Sequence, residues 1–341
     1  MKKLYAILLA GISFFSVSAQ DIHFSQYWAS PLTLNPAMTA NINGLFRANV
    51  NYRNQWFTIP TQNAIAPYQT IHAGFDMALL KNRLENDAFG FGVSFFHDRS
   101  GSGVLTTNSI LASIAYHKAV DRYGRARIGL GLQAGAYIKQ VDINKLLFEE
   151  QFDGVTLNPS QFNQEVNFNS RPIVNPNVNI GLLWQHTPTS MFRYYLGYAA
   201  FNVARPKETF FEDKSNRLGV RHVIHGGAQV FLGNGYFSLS PTVLIMLQSQ
   251  ARQYNLGLGV NYQINDNLDI FGGGMYRVMD AVILNVGAEF FGTRVGLSYD
   301  INHSDLRNAT RAQGALELSA IYVFRKVREG DIQYEKYCPN F

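Results

Sequence analysis

Cys338 is the only cysteine in this 341-residue chain, which excludes a disulfide framework and any metal site built from several thiolates. Charge is scarce: Asp, Glu, Lys and Arg make up 16% of the residues, against about a quarter in ordinary soluble domains. Past the first twenty residues no apolar run approaches the ~20 residues of a membrane-crossing helix. A Walker phosphate loop, a G-x-S-x-G elbow and an H-E-x-x-H pair are all missing. Lys and Arg number 29 against 24 Asp and Glu, with no dense basic run, so the charge pattern gives no reason to invoke nucleic acid. The expectation is a protein without catalytic residues, cofactor or metal.

What remains is hydrophobic residues at 47%, aromatics at 13% and 29 glycines. Lys2 and Lys3, an apolar stretch over 4–17 and the small residues Val17-Ser18-Ala19 read as a secretory signal peptide over 1–19, so the mature protein is exported. The body alternates with period two, as strands must when lipid lies on one side and water on the other. In 254–264, Tyr254, Leu256, Leu258, Val260, Tyr262 and Ile264 share one face, and Asn255, Gly257, Gly259, Asn261 and Gln263 the other. Residues 128–139, 281–289 and 70–79 repeat the pattern. Strands are expected near 45–53, 68–79, 87–97, 107–118, 124–139, 176–187, 192–202, 221–231, 235–248, 253–264, 268–277, 280–290, 292–300 and 315–325, although 107–118 and 221–231 alternate poorly.

The connections sort by length. One set (81–86, 121–123, 188–191, 233–234, 265–267 and 292) is short, and most of it is rich in Asn, Asp or Gly. The other includes the long stretches 54–67, 98–106, 140–175, 203–220 and 301–314, with short exceptions near 249–252 and 278–279. Short inner turns and long outer loops are the habit of outer-membrane barrels. A soluble sandwich also alternates, but long strands, export, low charge and asymmetric loops favour the barrel. The fold class is therefore an all-β transmembrane antiparallel barrel of about fourteen strands over 45–325, set in outer-membrane lipid with both termini periplasmic. Tyr52, Tyr116, Trp184, Tyr194, Tyr262, Tyr276, Tyr299 and Tyr322 near strand ends suit interfacial girdles.

Individual motifs mostly dissolve on this frame. His222 and His225 fall on opposite faces of a strand, so they cannot share a metal. Gly129-Leu130-Gly131 and Gly272-Gly273-Gly274 sit inside strands rather than between strand and helix, which removes a dinucleotide reading. The lumen carboxylates Asp76, Glu289, Asp300 and Glu317 are expected to pair with arginines such as Arg277 and Arg294 rather than to work as acid and base. The ends look purposeful. A lead-in over 20–44, with Phe24, Gln26, Tyr27, Asn35 and Pro36, suits a plug in the barrel mouth. A tail over 326–341, with Tyr337, Cys338 and Phe341, invites periplasmic docking; Cys338 reads more readily as a buried thiol than as half of a mixed disulfide. In the outer loops Gln55, Trp56, Phe57, Phe148, Phe210 and Phe211 offer anchors for a protein partner, or fold inward and close the barrel top.

The block Gln20-Asp21-Ile22-His23-Phe24-Ser25-Gln26-Tyr27, the segment Ser30 to Ala37, Tyr52-Arg53-Asn54-Gln55-Trp56 and the ending Tyr337-Cys338-Pro339-Asn340-Phe341 resemble the PorP/SprF family of Bacteroidetes outer-membrane proteins. The position of Asn340 often carries Arg in that family. The resemblance implies an outer-membrane component of the type IX secretion system, linked in some members to gliding motility. It also implies partners: other secretion components, and a secreted surface adhesin held through its C-terminal domain. The family brings no established catalytic residues. The rival expectation is an outer-membrane channel or hydrophobic-solute transporter.

Overall fold

The computed structural model describes residues 23–57, 68–79, 86–101, 104–142, 172–208, 217–304 and 307–325. The signal peptide, the tail 326–341 and the candidates Phe148, Phe210, Phe211, Tyr337, Cys338 and Phe341 lie outside these residues.

The described chain is a closed antiparallel barrel in which each strand pairs with its neighbours in sequence and the last pairs with the first. The strands are β1 Phe46–Gln55, β2 Tyr68–Leu79, β3 Ala88–Ser100, β4 Leu105–Ala119, β5 Ala126–Val141, β6 Ile173–Thr189, β7 Phe192–Phe201, β8 Arg221–Leu232, β9 Phe237–Gln248, β10 Ala251–Asn265, β11 Leu268–Arg277, β12 Ala281–Phe290, β13 Thr293–Asn302 and β14 Gln313–Phe324. Among the described residues helix is confined to α1 (Pro31–Leu34), α2 (Arg307–Thr310) and two 3-10 turns, Tyr27–Ala29 and Pro36–Met38. Among the described residues no helix is long and apolar enough to cross a membrane. The barrel wall itself is long enough to do so.

The wall is inside out relative to a soluble sandwich. Leu130, Leu256 and Val286 expose more than half of their surface outward, whereas Gln133, Asn255 and Glu317 face the lumen and are buried. Such a continuous apolar exterior is stable only against lipid. Tyr116, Tyr262, Tyr276 and Tyr322 lie on this outer face close to strand ends.

One end of the barrel carries the turns 190–191, 233–236, 266–267 and 291–292, and the other the long connections 142–172 and 202–220. The connection expected over 98–106 is shorter, 101–104, because β3 and β4 continue their ladder as far as Ser100 and Leu105. The lead-in crosses between the two ends. His23 lines the loop end beside Trp56, Arg252 and Asp280. Asn35 reaches the carbonyls of Leu182 and Tyr198 at mid-depth. Ala40 meets Asp76 near the turn end of β2, and the Leu45 amide then bonds the Phe324 carbonyl.

The described chain begins at His23 at the loop end and ends at Arg325 at the turn end, while the termini expected on the periplasmic side, 20–22 and 326–341, lie outside the described residues. From His23 to Leu45 the lead-in runs the length of the lumen, from the loop end to the turn end. In a Cys338→Ser background, His23→Cys and Phe291→Cys should react with a membrane-impermeant maleimide from opposite sides of the outer membrane. Labelling of both from one side would refute the crossing.

Candidate functional site

The lumen is the site, and the lead-in occupies it in three tiers. Short turns make this segment compact: Pro31 opens α1 without needing an amide partner, and the Asn35 side chain accepts from the Ala37 amide to start the next turn. Ser25, Gln26, Ala29, Leu32, Asn35 and Ala37 are fully buried.

At the loop end Arg53 and Glu317 face each other in the β1–β14 register. Arg53 reaches Glu317 at 3.1 Å and Asp300 at 3.0 Å, and Arg277 reaches Asp300 at 3.2 Å. This balanced quartet is closed by the lead-in. Glu317 accepts from the Ser25 and Gln26 amides, each at 2.8 Å, and from Asn51 at 3.0 Å. The Ser25 hydroxyl donates to Asp300 at 2.7 Å while accepting from Arg53 and Arg277. Buried charges of this kind are stable only when paired and fully hydrogen-bonded, and the lead-in supplies part of that satisfaction.

At mid-depth Asn35 shares a hydrogen with His225 Nε2 at 3.0 Å, Gln133 donates to the Leu32 carbonyl, and His117 contacts the Thr39 carbonyl at 2.9 Å. Gly131 and Gly181 face each other across β5 and β6, and Pro36-Ala37 rests on the bare patch they leave. At the turn end Asp76 takes Arg47 in a two-pronged pair at 2.9 and 2.8 Å and also accepts from the Ala40 amide, while Arg47 donates to the Met38 carbonyl. Arg47 and Asp76 are again cross-strand partners.

The structure places Phe24 against His72 and Phe96, Tyr27 edge-on to Trp28, and Gln26, Asn35 and Pro36 within these tiers. Gln55 and Trp56 line a loop-end pocket of ≈ 370 Å³, and Phe57 follows half-buried. Trp56 has a positive φ of 56°, unusual for a bulky side chain, stands edge-on to Tyr68 at 4.9 Å, and has a buried indole N–H without a partner among the described residues. His222 stacks outward on Tyr198 while His225 is buried in the lumen.

Sequence reasoning did not single out Arg47, His117 or Gln133, and met Ser25 and Arg53 only inside the blocks that carry the family resemblance. Their only signal is a polar side chain on the lumen face of an alternating strand, or in the lead-in. Their partners lie far away in sequence, as Ser25 and Glu317 do.

An apolar outer wall, a polar lumen and a buried internal plug define an outer-membrane β-barrel. A family model described as type IX secretion system membrane protein PorP/SprF matches residues 16–322, and the chain belongs to that family. No curated protein sequence matches the chain. Among solved structures, a Pseudomonas aeruginosa FadL homologue is similar in fold at 10% identity and a TM-score of 0.50, covering 87% of this chain and 94% of its own. The Ralstonia pickettii toluene transporter TbuX follows at 12% identity and a TM-score of 0.48, covering 87% and 94% respectively.

Proposed function

We propose that this barrel is a non-enzymatic component of the type IX secretion system that holds a secreted surface protein at its loop end. The loop end then faces the cell exterior, and the turn end, with the tail 326–341, faces periplasmic machinery. The observation that carries the reading is the combination of a lumen occupied by the lead-in with a tryptophan of positive φ at the loop-end pocket. A barrel whose interior is tied to its own lead-in at three depths offers no ready path to a solute. Its usable surface is the rim. There Trp56, half-buried and edge-on to Tyr68, presents a large aromatic body of the kind that anchors interfaces. Membership of the secretion family supports the same assignment.

The test is a gentle detergent pull-down of tagged protein from its native envelope. Wild type should retain secretion subunits or a large secreted protein, and Trp56→Ala should weaken that retention by about 2 kcal/mol while leaving the barrel heat-modifiable on gels. Recovery of the barrel alone, together with solute flux into proteoliposomes, would favour a channel instead.

A further inference from the structure

The outer wall is not smooth where β3 to β7 lie side by side. The strand register aligns Phe89, Tyr116, Leu130, Leu182 and Tyr198 in one outward row. Ile114, Leu132 and Ile180 form the next row. Between the two rows the chain turns Ala115, Gly131 and Gly181 toward the lumen, so backbone alone floors the gap. The result is an apolar groove of ≈ 450 Å³ on the lipid side. Leu130, Leu132, Ile180 and Leu182 each leave more than two-fifths of their surface exposed there. Five strands at a spacing of about 4.8 Å make the groove about 19 Å long, comparable with an extended fatty acyl chain. The tilt of barrel strands inclines it toward one membrane surface.

An apolar groove does not by itself choose an occupant, but its turn end carries charge. The β4–β5 turn, 120–125, lies just beyond Tyr116 and Leu130 on the same hairpin. Lys118, Arg122, Arg125 and Arg127 stand there against Asp87 and Asp121, four cations to two anions. Asp87 is taken up by Lys118 at 2.8 Å and by the Tyr116 hydroxyl at 2.5 Å, and Asp121 accepts from the Ala126 amide at 2.8 Å. Arg122 and Arg125 are exposed and form no ion pair among the described residues. Arg125 lies over the Tyr123 ring at 5.2 Å, which holds its guanidinium at the girdle level. The turns 190–191, 233–236, 266–267 and 291–292 at the same end contain no Lys or Arg. The basic turn and the groove therefore coincide at one place on the circumference.

We propose that the groove and the 120–125 turn together form a binding site for an anionic glycerophospholipid of the leaflet at the turn end. One acyl chain lies between the two apolar rows, and the phosphate sits on Arg122 and Arg125. Arginine suits this position because its planar fork binds phosphate with two parallel hydrogen bonds. A neutral lipid could fill the groove equally well but would gain less from the uncompensated arginines, so the turn supplies the selectivity and the groove the residence. The site is on the opposite side of the wall from the lead-in and far from the loop-end surface, so its fate does not depend on the anchoring role.

The experiment uses the full-length barrel in phosphatidylcholine vesicles that carry either brominated phosphatidylglycerol or brominated phosphatidylcholine, read by tryptophan quenching. Trp184 is the reporter: it is the cross-strand partner of Ile128 and lies two residues from Leu182 on the outer face, whereas Trp28 is in the lumen and Trp56 at the loop end. Brominated phosphatidylglycerol should quench as though enriched about fivefold or more over brominated phosphatidylcholine, and Trp184→Phe should abolish the difference. Arg122→Gln combined with Arg125→Gln should bring the enrichment close to one. Leu132→Phe, which narrows the groove and keeps every charge, should lower it. These side chains face water or lipid, so all the variants should stay heat-modifiable. Equal quenching by the two lipids overturns the proposal, whether the groove is then empty or held by protein. So does enrichment that survives the double glutamine variant, or that Leu132→Phe leaves unchanged.

Discussion

Glu317→Ala should open the barrel. Wild-type protein in a planar bilayer is expected to be closed, because one buried carboxylate holds two consecutive lead-in amides, Asn51 and Arg53 at once. Removing it orphans the Ser25 and Gln26 N–H groups and leaves Arg53 and Arg277 with Asp300 as the one remaining anion of the quartet. Losing one partner of a buried ion pair costs about 3–5 kcal/mol. The penalty falls on the docked lead-in, since undocking lets water reach Arg53 while the strand ladder stays intact. The variant should therefore show steady ion conductance and a lower heat-modification temperature. Glu317→Gln keeps an acceptor for the amides and should fall between the two. Adding Arg53→Met to Glu317→Gln should recover part of the loss, because the stranded charge is then gone. Wild-type closure and stability in Glu317→Ala would show that the quartet does not hold the lead-in.

The barrel was legible because alternation is a property of each strand taken alone. β10 and β5 show it plainly, and the order of short and long connections adds a second signal of independent origin. β8 was harder to read: its run His225-Gly226-Gly227 puts small or polar residues on both faces, so the period fades where the lumen wall must stay thin beside Tyr195. The lead-in's composition suggested a plug, but not the direction in which it runs. That direction depends on pairs distant in sequence: the Arg53–Glu317 site near the loop end takes Ser25, and the Arg47–Asp76 site near the turn end takes Ala40. Trp56 stood out as an exposed-loop aromatic, whereas its positive φ and orphaned indole N–H follow from the local backbone, with its amide bonded to the Gly314 carbonyl at 2.7 Å.

The glycine pair Gly131 and Gly181 provides a second way to displace the lead-in, by volume rather than charge. A Cβ on Gly131 would overlap the Ala37 nitrogen and the Pro36 carbonyl carbon, and one on Gly181 would overlap the Asn35 side chain and approach the Ala37 nitrogen. The obstacle at Gly131 is backbone, which cannot rotate away as a side chain can. Overpacking typically costs about 1–3 kcal/mol even where neighbours yield, so Gly131→Leu should exceed that range. The strand itself tolerates the change, because leucine suits a pleated wall better than glycine does and the β5–β6 hydrogen bonds are untouched. The expected result is a barrel that assembles and stays heat-modifiable, yet conducts ions and exposes its lead-in to added protease. Gly274→Ala is the control, since a Cβ there meets nothing nearer than 3.8 Å, and it should stay closed. If Gly131→Leu remains closed and protease-resistant, the lead-in does not depend on that patch. If instead it prevents assembly altogether, docking of Pro36-Ala37 on β5 and β6 precedes closure of β1 on β14.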